Sequence, residues 1–212
     1  MDSDKMHKED SMKPGKICRS GLCTVLYGCA MMVVREGDHM SELLDLIKER
    51  RSIRAYKNDM VPDQLIGKVI EAGLWAASGM GKQSPIIIEV TDKKTRDQIS
   101  RMNAEIFGRP GFDPFYGAPV ILIVLAPKER PTYVYDGSLV LGNMMLEAHS
   151  LGLGSCWIHR AKEEFASEEG KALLARLGIS GDYEGIGHLA LGYAADEQPA
   201  PPARRQGRVF HI

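Results

Sequence analysis

Two groups of arginines could together bind one anionic ligand. Residues 50–54 read Arg-Arg-Ser-Ile-Arg, and a proline-rich tail near the C-terminus carries Arg204 and Arg205. Each arginine can donate two parallel hydrogen bonds to one anion, so three guanidinium groups and a hydroxyl within five residues suit a phosphate. The same residues also fit a helix that ends in basic side chains, and the tail arginines also fit a solvated terminus. The residues alone leave both interpretations open.

A loop of small residues between Ala76 and Pro85 is the second candidate site. Gly79 and Gly81 would let the backbone lie close to a flat ligand. Hydrogen-bond donors at the edge of such a ligand could come from Lys82, Gln83 and Ser84. An ordinary connection between a helix and a strand would have the same composition.

The segment from Cys156 to Arg160 is the third candidate, at the end of a predicted strand. His159 could bind a ligand, although a lone histidine more often satisfies a local hydrogen bond. Cys156 is flanked by Ser155 and Trp157 in the pattern of a buried strand, which favours a core thiol over a nucleophile.

Several other functions are disfavoured by the sequence. The glycines of Gly152–Gly154 follow a predicted helix, whereas the dinucleotide-binding fingerprint follows a strand, and Gly185–Gly187 fails similarly. There is no Walker motif and no serine-hydrolase elbow. The net charge of −1 argues against non-specific binding to nucleic acid or to an acidic membrane.

The four cysteines indicate a reducing compartment, and we predict a cytoplasmic location. Three of them lie in the N-terminal segment, at Cys18, Cys23 and Cys29. Their spacing lacks the short pairs of a zinc site, so we predict no bound metal. The mostly apolar stretch 21–34 is too short for a confident membrane span, and no clear signal cleavage site follows it.

Regular patterning begins near residue 41 and predicts a mixed α+β domain. We expect residues 1–39 to be an N-terminal extension, disordered or outside the domain, and residues 40–212 to be a domain with a C-terminal arm. A modest sheet sandwiched by helices, in three layers, follows from the order of the elements. The predicted helices are 41–50, one starting after Pro62, 92–107, 135–151 and 163–177, and the predicted strands are 86–90, 120–125, 155–158 and 188–193.

Taken together, five segments in order resemble the nitroreductase family of flavoproteins. They are Leu44–Tyr56, with its Arg-Arg-Ser-Ile-Arg run, Ala76–Pro85, Gly117–Val120, Gly152–Ile158, and His188–Tyr193 with the basic tail that follows. The resemblance implies a nitroreductase-like α/β/α sandwich with a mostly antiparallel central sheet. It also implies an intertwined homodimer with FMN at the subunit interface.

The resemblance implies a role for each candidate segment. The FMN phosphate and ribityl chain would be bound by Arg50, Arg51 and Ser52, with Arg54 reaching toward the pyrimidine end. The neighbouring subunit would contribute Gly81, Lys82, Gln83 and Ser84, although Gly81 stands where the family more often has an amide side chain. The strand end facing the flavin ring near N5 would comprise Trp157, Ile158, His159 and Arg160, and the phosphate would be closed off by Arg204 and Arg205.

The activity implied by the resemblance is hydride transfer from NAD(P)H, through flavin N5, to a nitroaromatic, a quinone or a similar electron-poor acceptor. Because the cofactor carries the reaction, no catalytic side chain is expected. Two alternatives stay open: other flavin chemistry on the same fold, such as dehalogenation or dehydrogenation, and a flavin-binding protein without catalysis.

Overall fold

The computed structural model describes residues 42–212 and the backbone of three strands that precede them. The chain divides into two units, Met1–Asp45 and Leu46–Ile212. Residue 41, where the first predicted helix begins, and Cys29 lie outside the described part, as do the side chains of Cys18 and Cys23. The domain boundary between residues 39 and 40 stays a prediction.

The first unit contains a three-stranded antiparallel sheet in the order β1-β2-β3. Its strands are β1 (Lys16–Arg19), β2 (Leu22–Tyr27) and β3 (Ala30–Arg35).

The second unit alternates helices with the strands of a four-stranded sheet. The helices are α1 (Glu42–Glu49), which begins in the first unit, α2 (Asp63–Leu74), α3 (Lys93–Ile106), α4 (Tyr133–Ser150), α5 (Ala161–Ala166) and α6 (Glu168–Arg176). The strands are β4 (Ile86–Val90), β5 (Val120–Pro127), β6 (Gly154–Ile158) and β7 (Tyr183–Gly192). All neighbouring strands are antiparallel, in the order β4-β5-β7-β6. The predicted α+β class and sheet are confirmed.

Strand β5 is the centre of the core, because its run from Val120 to Ala126 is almost entirely buried. Side chains alternate across a strand, so Leu122 joins the apolar cluster with α2 and α4, whereas Ile123 joins the cluster with α3, α5 and α6. The sheet therefore lies between two helical layers, as the sequence predicts, and each layer is sealed by its own apolar cluster.

Two glycines of β7 allow close packing rather than dinucleotide binding. A side chain at Gly185 would overlap the backbone carbonyl of Ala161 at the start of α5, and one at Gly187 would overlap the indole ring of Trp157. Glycine is needed here because nothing larger fits between the strand and its neighbours. The Gly185–Gly187 pattern is thus explained by the sheet itself.

One detail of the predicted elements is wrong. Residues 163–177 do not form one helix, because Ser167 adopts an extended backbone (φ −72°, ψ 159°) and its hydroxyl caps α6 by accepting a hydrogen bond from the Gly170 N–H. A serine that caps a new helix offers a better end to the preceding one than continuation does.

The tail after Tyr193 begins beside the segment that follows Arg54. The Ala195 N–H donates to the Ala55 carbonyl at 3.0 Å, and Tyr56 forms an antiparallel bridge with Ala194. Beyond this point the tail is exposed and carries no helix or strand. Among the described residues, none of the helices combines the length and the apolar character that crossing a bilayer requires.

Candidate functional site

The Arg50–Arg54 segment is attached directly to the edge of the sheet. It follows α1, and Ser52 forms a parallel bridge with Ser155 at the start of β6. The Ile53 N–H donates to the Ser155 carbonyl at 3.0 Å, and the Ile53 side chain is buried. Backbone pairing therefore fixes the segment, while the side chains of Arg50 and Arg54 stay available for a ligand.

Arg50 carries the strongest mark of an anion site. Its guanidinium is half-buried, and its Nη1 atom is buried without a hydrogen-bond partner among the described residues. Burial lowers the pKa of Arg50, and the positive charges of Arg51 and Arg204 lower it further, against the opposing effect of Cys156. A buried cation that has no partner and lies near other positive charges destabilises the protein when no ligand is bound. A phosphate bound here would remove that cost.

Arg204, in the C-terminal tail, interacts electrostatically with Arg50 in the first arginine group. The positive charge of Arg204 contributes to lowering the pKa of Arg50, although the two residues are far apart in sequence. Arg205 is exposed in the same tail. The assignment of Arg204 and Arg205 to a phosphate site stays a prediction, and their position is compatible with it.

Arg51 is engaged differently from Arg50. Its Nη1 atom donates to the Arg50 carbonyl at 2.6 Å, and its Nη2 atom donates to the Lys48 carbonyl. These bonds cap the C-terminal end of α1, where helical carbonyls lack partners. The helix-end interpretation of the arginine run therefore describes Nη1 and Nη2 of Arg51. Its Nε atom, like Nη1 of Arg50, is buried without a hydrogen-bond partner among the described residues.

Cys156 lies beneath this arginine segment as a buried thiol. Burial raises the pKa of the Cys156 thiol, and the charges of Arg54 and Arg50 and the side chain of Ser52 oppose that rise only in part. A thiol with a raised pKa is mostly protonated near neutral pH and is a poor nucleophile. The core role predicted from the sequence is confirmed by its burial.

The Ala76–Pro85 loop is held by one carboxylate of α4. Asp136 accepts a hydrogen bond from the Gly79 N–H at 3.0 Å and another from the Thr132 hydroxyl at 2.9 Å. The Gln83 N–H donates to the Ser78 hydroxyl at 2.8 Å. Left-handed backbone conformations occur at Met80, Gly81 and Gln83, and such conformations are strained for residues other than glycine.

The loop presents its own unpaired polar group. The Ser84 hydroxyl is buried without a hydrogen-bond partner among the described residues, whereas Lys82 and Gln83 are exposed. Since native proteins rarely leave buried polar atoms unpaired, this hydroxyl is a second atom that a ligand or another chain could satisfy.

The two candidate segments lie at diagonally opposite corners of the sheet. The loop enters β4 at Ile86, which pairs with Leu125 near the end of β5. The arginine segment joins the start of β6, where Gly154 pairs with Gly192 of β7. The neighbouring residue of β7, Leu191, pairs with Val120 at the beginning of β5. Three strand spacings and five residues along β5 separate these corners by about 22 Å. One chain does not bring them together.

The end of β6 places the remaining predicted residues in a short, fixed turn. Ile158 is buried, Trp157 and Arg160 are half-buried, and His159 is exposed. The fully buried Asn103 of α3 donates its side-chain amide to the His159 carbonyl at 2.8 Å. This bond fixes the backbone at the point where the resemblance places the flavin ring.

Asp136 and Asn103 are positioning residues that the sequence analysis missed. Thr132 and Asp136, four residues apart at the start of α4, are a local signal that was available. Asn103 offers none, because its partner His159 is 56 residues away in sequence. Contacts of that kind become visible only once the helix is packed against the sheet.

The fold and the arginine cluster define an α+β protein suited to a phosphate-bearing ligand. The model of the Nitroreductase family matches residues 47–193, and this chain belongs to that family. A relative from Archaeoglobus fulgidus, provisionally named an NADH dehydrogenase/NAD(P)H nitroreductase, is 32% identical over 164 residues, covering 75% of this chain and 89% of that protein. The FMN reductase [NAD(P)H] of Bacillus subtilis is 25% identical over 194 residues, 81% of this chain and 74% of that protein.

Solved structures give the same result for the fold. The nitroreductase with bound FMN from Bacteroides fragilis superposes with a TM-score of 0.75 at 26% identity, covering 82% of this chain and 100% of that chain. The FMN-bound nitroreductase from Desulfitobacterium hafniense has a TM-score of 0.72 at 28% identity, with 82% and 99% coverage. The predicted nitroreductase-like architecture is confirmed.

Proposed function

We propose that this protein is an FMN-dependent NAD(P)H oxidoreductase that reduces a nitroaromatic, a quinone or a similar electron-poor acceptor. The observation that carries the proposal is the buried Nη1 atom of Arg50, which has no hydrogen-bond partner among the described residues. The positive charges of Arg51 and Arg204 act on the same guanidinium. A phosphate would accept from this donor and neutralise the cluster. The FMN in related nitroreductases and the NAD(P)H-linked name of the B. subtilis relative support the choice of cofactors.

The residues of this chain fit an FMN molecule in three places. Arg50 and Arg204 would hold the phosphate, with Ser52 beside it, and Arg54 would reach toward the pyrimidine end. The turn from Trp157 to Arg160 would lie against the ring, kept in place by the Asn103 bond to the His159 carbonyl. When bound, FMN supplies a ring that accepts a hydride from NAD(P)H and passes two electrons to the acceptor.

We further propose that the protein is a homodimer whose two chains complete each flavin site. In one chain, the loop and the arginine segment are attached to the sheet about 22 Å apart, which supports a contribution from a second chain. Large apolar side chains are also exposed at Trp75 (81%), Met80 (83%), Val209 (74%) and Phe210 (86%). These are the side chains that we propose a partner chain covers. The cysteine pattern supports a reducing, cytoplasmic location.

The experiment that tests the function is a spectrum of the purified protein after addition of FMN. We expect a bound flavin whose absorbance bleaches with NADH or NADPH under anaerobic conditions and recovers with a nitroaromatic or a quinone. Bound FMN that neither nicotinamide reduces would favour a protein without catalysis. Failure to bind FMN would contradict every flavin-based function.

A further inference from the structure

A surface patch next to the predicted flavin turn combines two aromatic rings with two arginines. The Arg160 guanidinium lies 4.0 Å from the centre of the Phe107 ring. Arg109 lies 4.9 Å from the centre of the Phe112 ring and 5.8 Å from that of Phe107. The two rings are 6.4 Å apart. We refer to Phe107, Arg109, Phe112 and Arg160 as the Phe107 patch.

The two guanidinium groups of the patch keep their hydrogen-bonding capacity. In the described part of the chain, neither Arg109 nor Arg160 has a carboxylate within ion-pair distance. Neither side chain donates a hydrogen bond there. Contact with the ring face leaves the N–H groups of a guanidinium free at its edge, in the fork that matches a carboxylate. Phe107 is 40% exposed, so a second planar ring could also lie against the patch.

The backbone holds the patch rigidly. Arg160 adopts a left-handed conformation (φ 79°). The carbonyl before it, that of His159, accepts a hydrogen bond from Asn103, and its own carbonyl accepts one from the Glu164 N–H at 3.0 Å. The Arg109 N–H donates to the Ala104 carbonyl at 2.9 Å. A non-glycine residue in this conformation is strained, and such strain is concentrated at functional sites.

We propose that the Phe107 patch binds the anionic group of an aromatic acceptor, so that the preferred acceptors carry a carboxylate beside the reducible ring. This inference rests on the proposed function, because it is the flavin turn that places Arg160 at the reacting site. The aromatic rings provide stacking surface, and the unpaired guanidinium groups provide the charge. Arg109 and Arg160 are then specificity-determining residues.

The test compares two acceptors that differ in charge at one position, 4-nitrobenzoate and methyl 4-nitrobenzoate. In the FMN-loaded protein, the ratio of kcat/KM for the acid to that for the ester is measured for the wild type and for Arg109→Gln and Arg160→Gln. Losing one charge-assisted contact should lower this ratio by about tenfold in each variant. Arg176→Gln, which removes an exposed arginine of α6, should leave the ratio unchanged.

A calorimetric titration of 4-nitrobenzoate provides a readout that is independent of turnover. Binding should be tighter than that of the ester in the wild type and weaker by about tenfold in both variants. A protein that binds the acid in this way but is not reduced by either nicotinamide would contradict the proposed function and leave the patch assignment standing.

Three results would overturn the inference. One is an acid-to-ester ratio that the variants do not change. Another is equal binding of acid and ester by the wild type. The third is a fall in the preference for NADPH over NADH with no change in the acceptor ratio, since the patch would then bind the donor's phosphate.

Discussion

The Arg50–Arg54 segment and the Ala76–Pro85 loop are held by the chain in different ways. The arginine segment is fixed by backbone pairing with β6, through Ser52 and Ser155. The loop is strained at several residues and is held mainly by the Asp136 carboxylate. Arginine side chains can therefore change without loss of the fold, whereas the loop depends on one buried group. Their positions at opposite corners of the sheet fit the proposal that two chains combine to complete one site.

The largest expected effect is on the arginine side of this comparison. Arg50→Ala combined with Arg204→Ala should weaken FMN binding by at least about 100-fold, because two charge-assisted contacts to the phosphate are lost. Fluorescence titration with FMN and with riboflavin, which lacks the phosphate, measures the effect. The wild type should prefer FMN strongly, and the double variant should not.

The control for this prediction is Arg176→Ala, which removes an arginine outside the cluster and should bind FMN as the wild type does. The unfolding midpoint of the apoprotein should not fall in the double variant, since neither side chain forms a hydrogen bond among the described residues. A double variant that still prefers FMN over riboflavin would place the phosphate elsewhere.

A second effect concerns the apolar surface that a partner chain would cover. Phe210→Asp should raise the dimer dissociation constant by at least about tenfold, because burial of a phenylalanine contributes roughly 1.5–3 kcal/mol. Sedimentation over a range of concentrations measures it. Asp196→Asn, a polar change in the same tail, should leave the constant unaltered. A protein that is monomeric before mutation would contradict the proposed dimer.

For the Ala76–Pro85 loop, the expected effect of a substitution is a loss of protein stability. Asp136→Asn should lower the free energy of unfolding by about 1–2 kcal/mol, because an amide cannot accept from both the Gly79 N–H and the Thr132 hydroxyl as well as a carboxylate does. Urea denaturation measures the change. Asp63→Asn, in the first turn of α2, should cost only a few tenths of a kcal/mol. Equal losses in the two variants would show that the loop does not depend on Asp136.

The loop 107–117 should differ from the Arg50–Arg54 segment and the Ala76–Pro85 loop, because its Asp113 makes the stability of the fold depend on pH. Asp113 is partly buried, which raises its pKa, but hydrogen bonds from Arg96, Ser100 and Gly117 outweigh burial and lower the pKa overall. This lowering stabilises the fold above the pKa of the unfolded state, near 4, and the stability is lost as the pH falls through the folded pKa. Denaturation of Asp113→Asn should therefore depend less on pH below about 4 than that of the wild type. An unchanged pH profile would contradict this.

The smallest expected effect is at Cys156. Cys156→Ser should keep FMN binding and turnover within about twofold of the wild type, because the thiol is buried and its pKa is raised. Steady-state kinetics measure this. A variant that binds FMN but does not turn over would show that the thiol takes part in the reaction.

Much of the fold could be predicted from the sequence because local patterns were strong. The run Val120–Leu125 predicted a buried strand, and Gly152, which follows a predicted helix, has the left-handed conformation expected there. The break at Ser167 was missed, because a serine inside an otherwise helical pattern can point to solvent or cap a new helix, and tertiary packing decides between them.

The candidate site was predictable in its residues but not in its arrangement. Arg50 and Arg51 look alike in sequence, yet Arg51 caps α1 through Nη1 and Nη2, whereas the Arg50 guanidinium donates no hydrogen bond among the described residues. The separation of the loop from the arginine segment follows from the strand order β4-β5-β7-β6, which no local pattern encodes. The residues that hold the site, Asn103 and Asp136, depend on the same long-range packing.

The central claim, one flavin shared by two chains, is tested most directly by forming mixed dimers. One chain carries Arg50→Ala with Arg204→Ala, and the other carries Lys82→Ala, Gln83→Ala and Ser84→Ala, so that neither binds FMN well as a homodimer. Two different tags allow the mixed dimer to be purified after joint expression. We predict that it binds one FMN per dimer, because one site then receives intact arginines and an intact loop from different chains. A mixed dimer that binds no more FMN than its two parents would contradict the account.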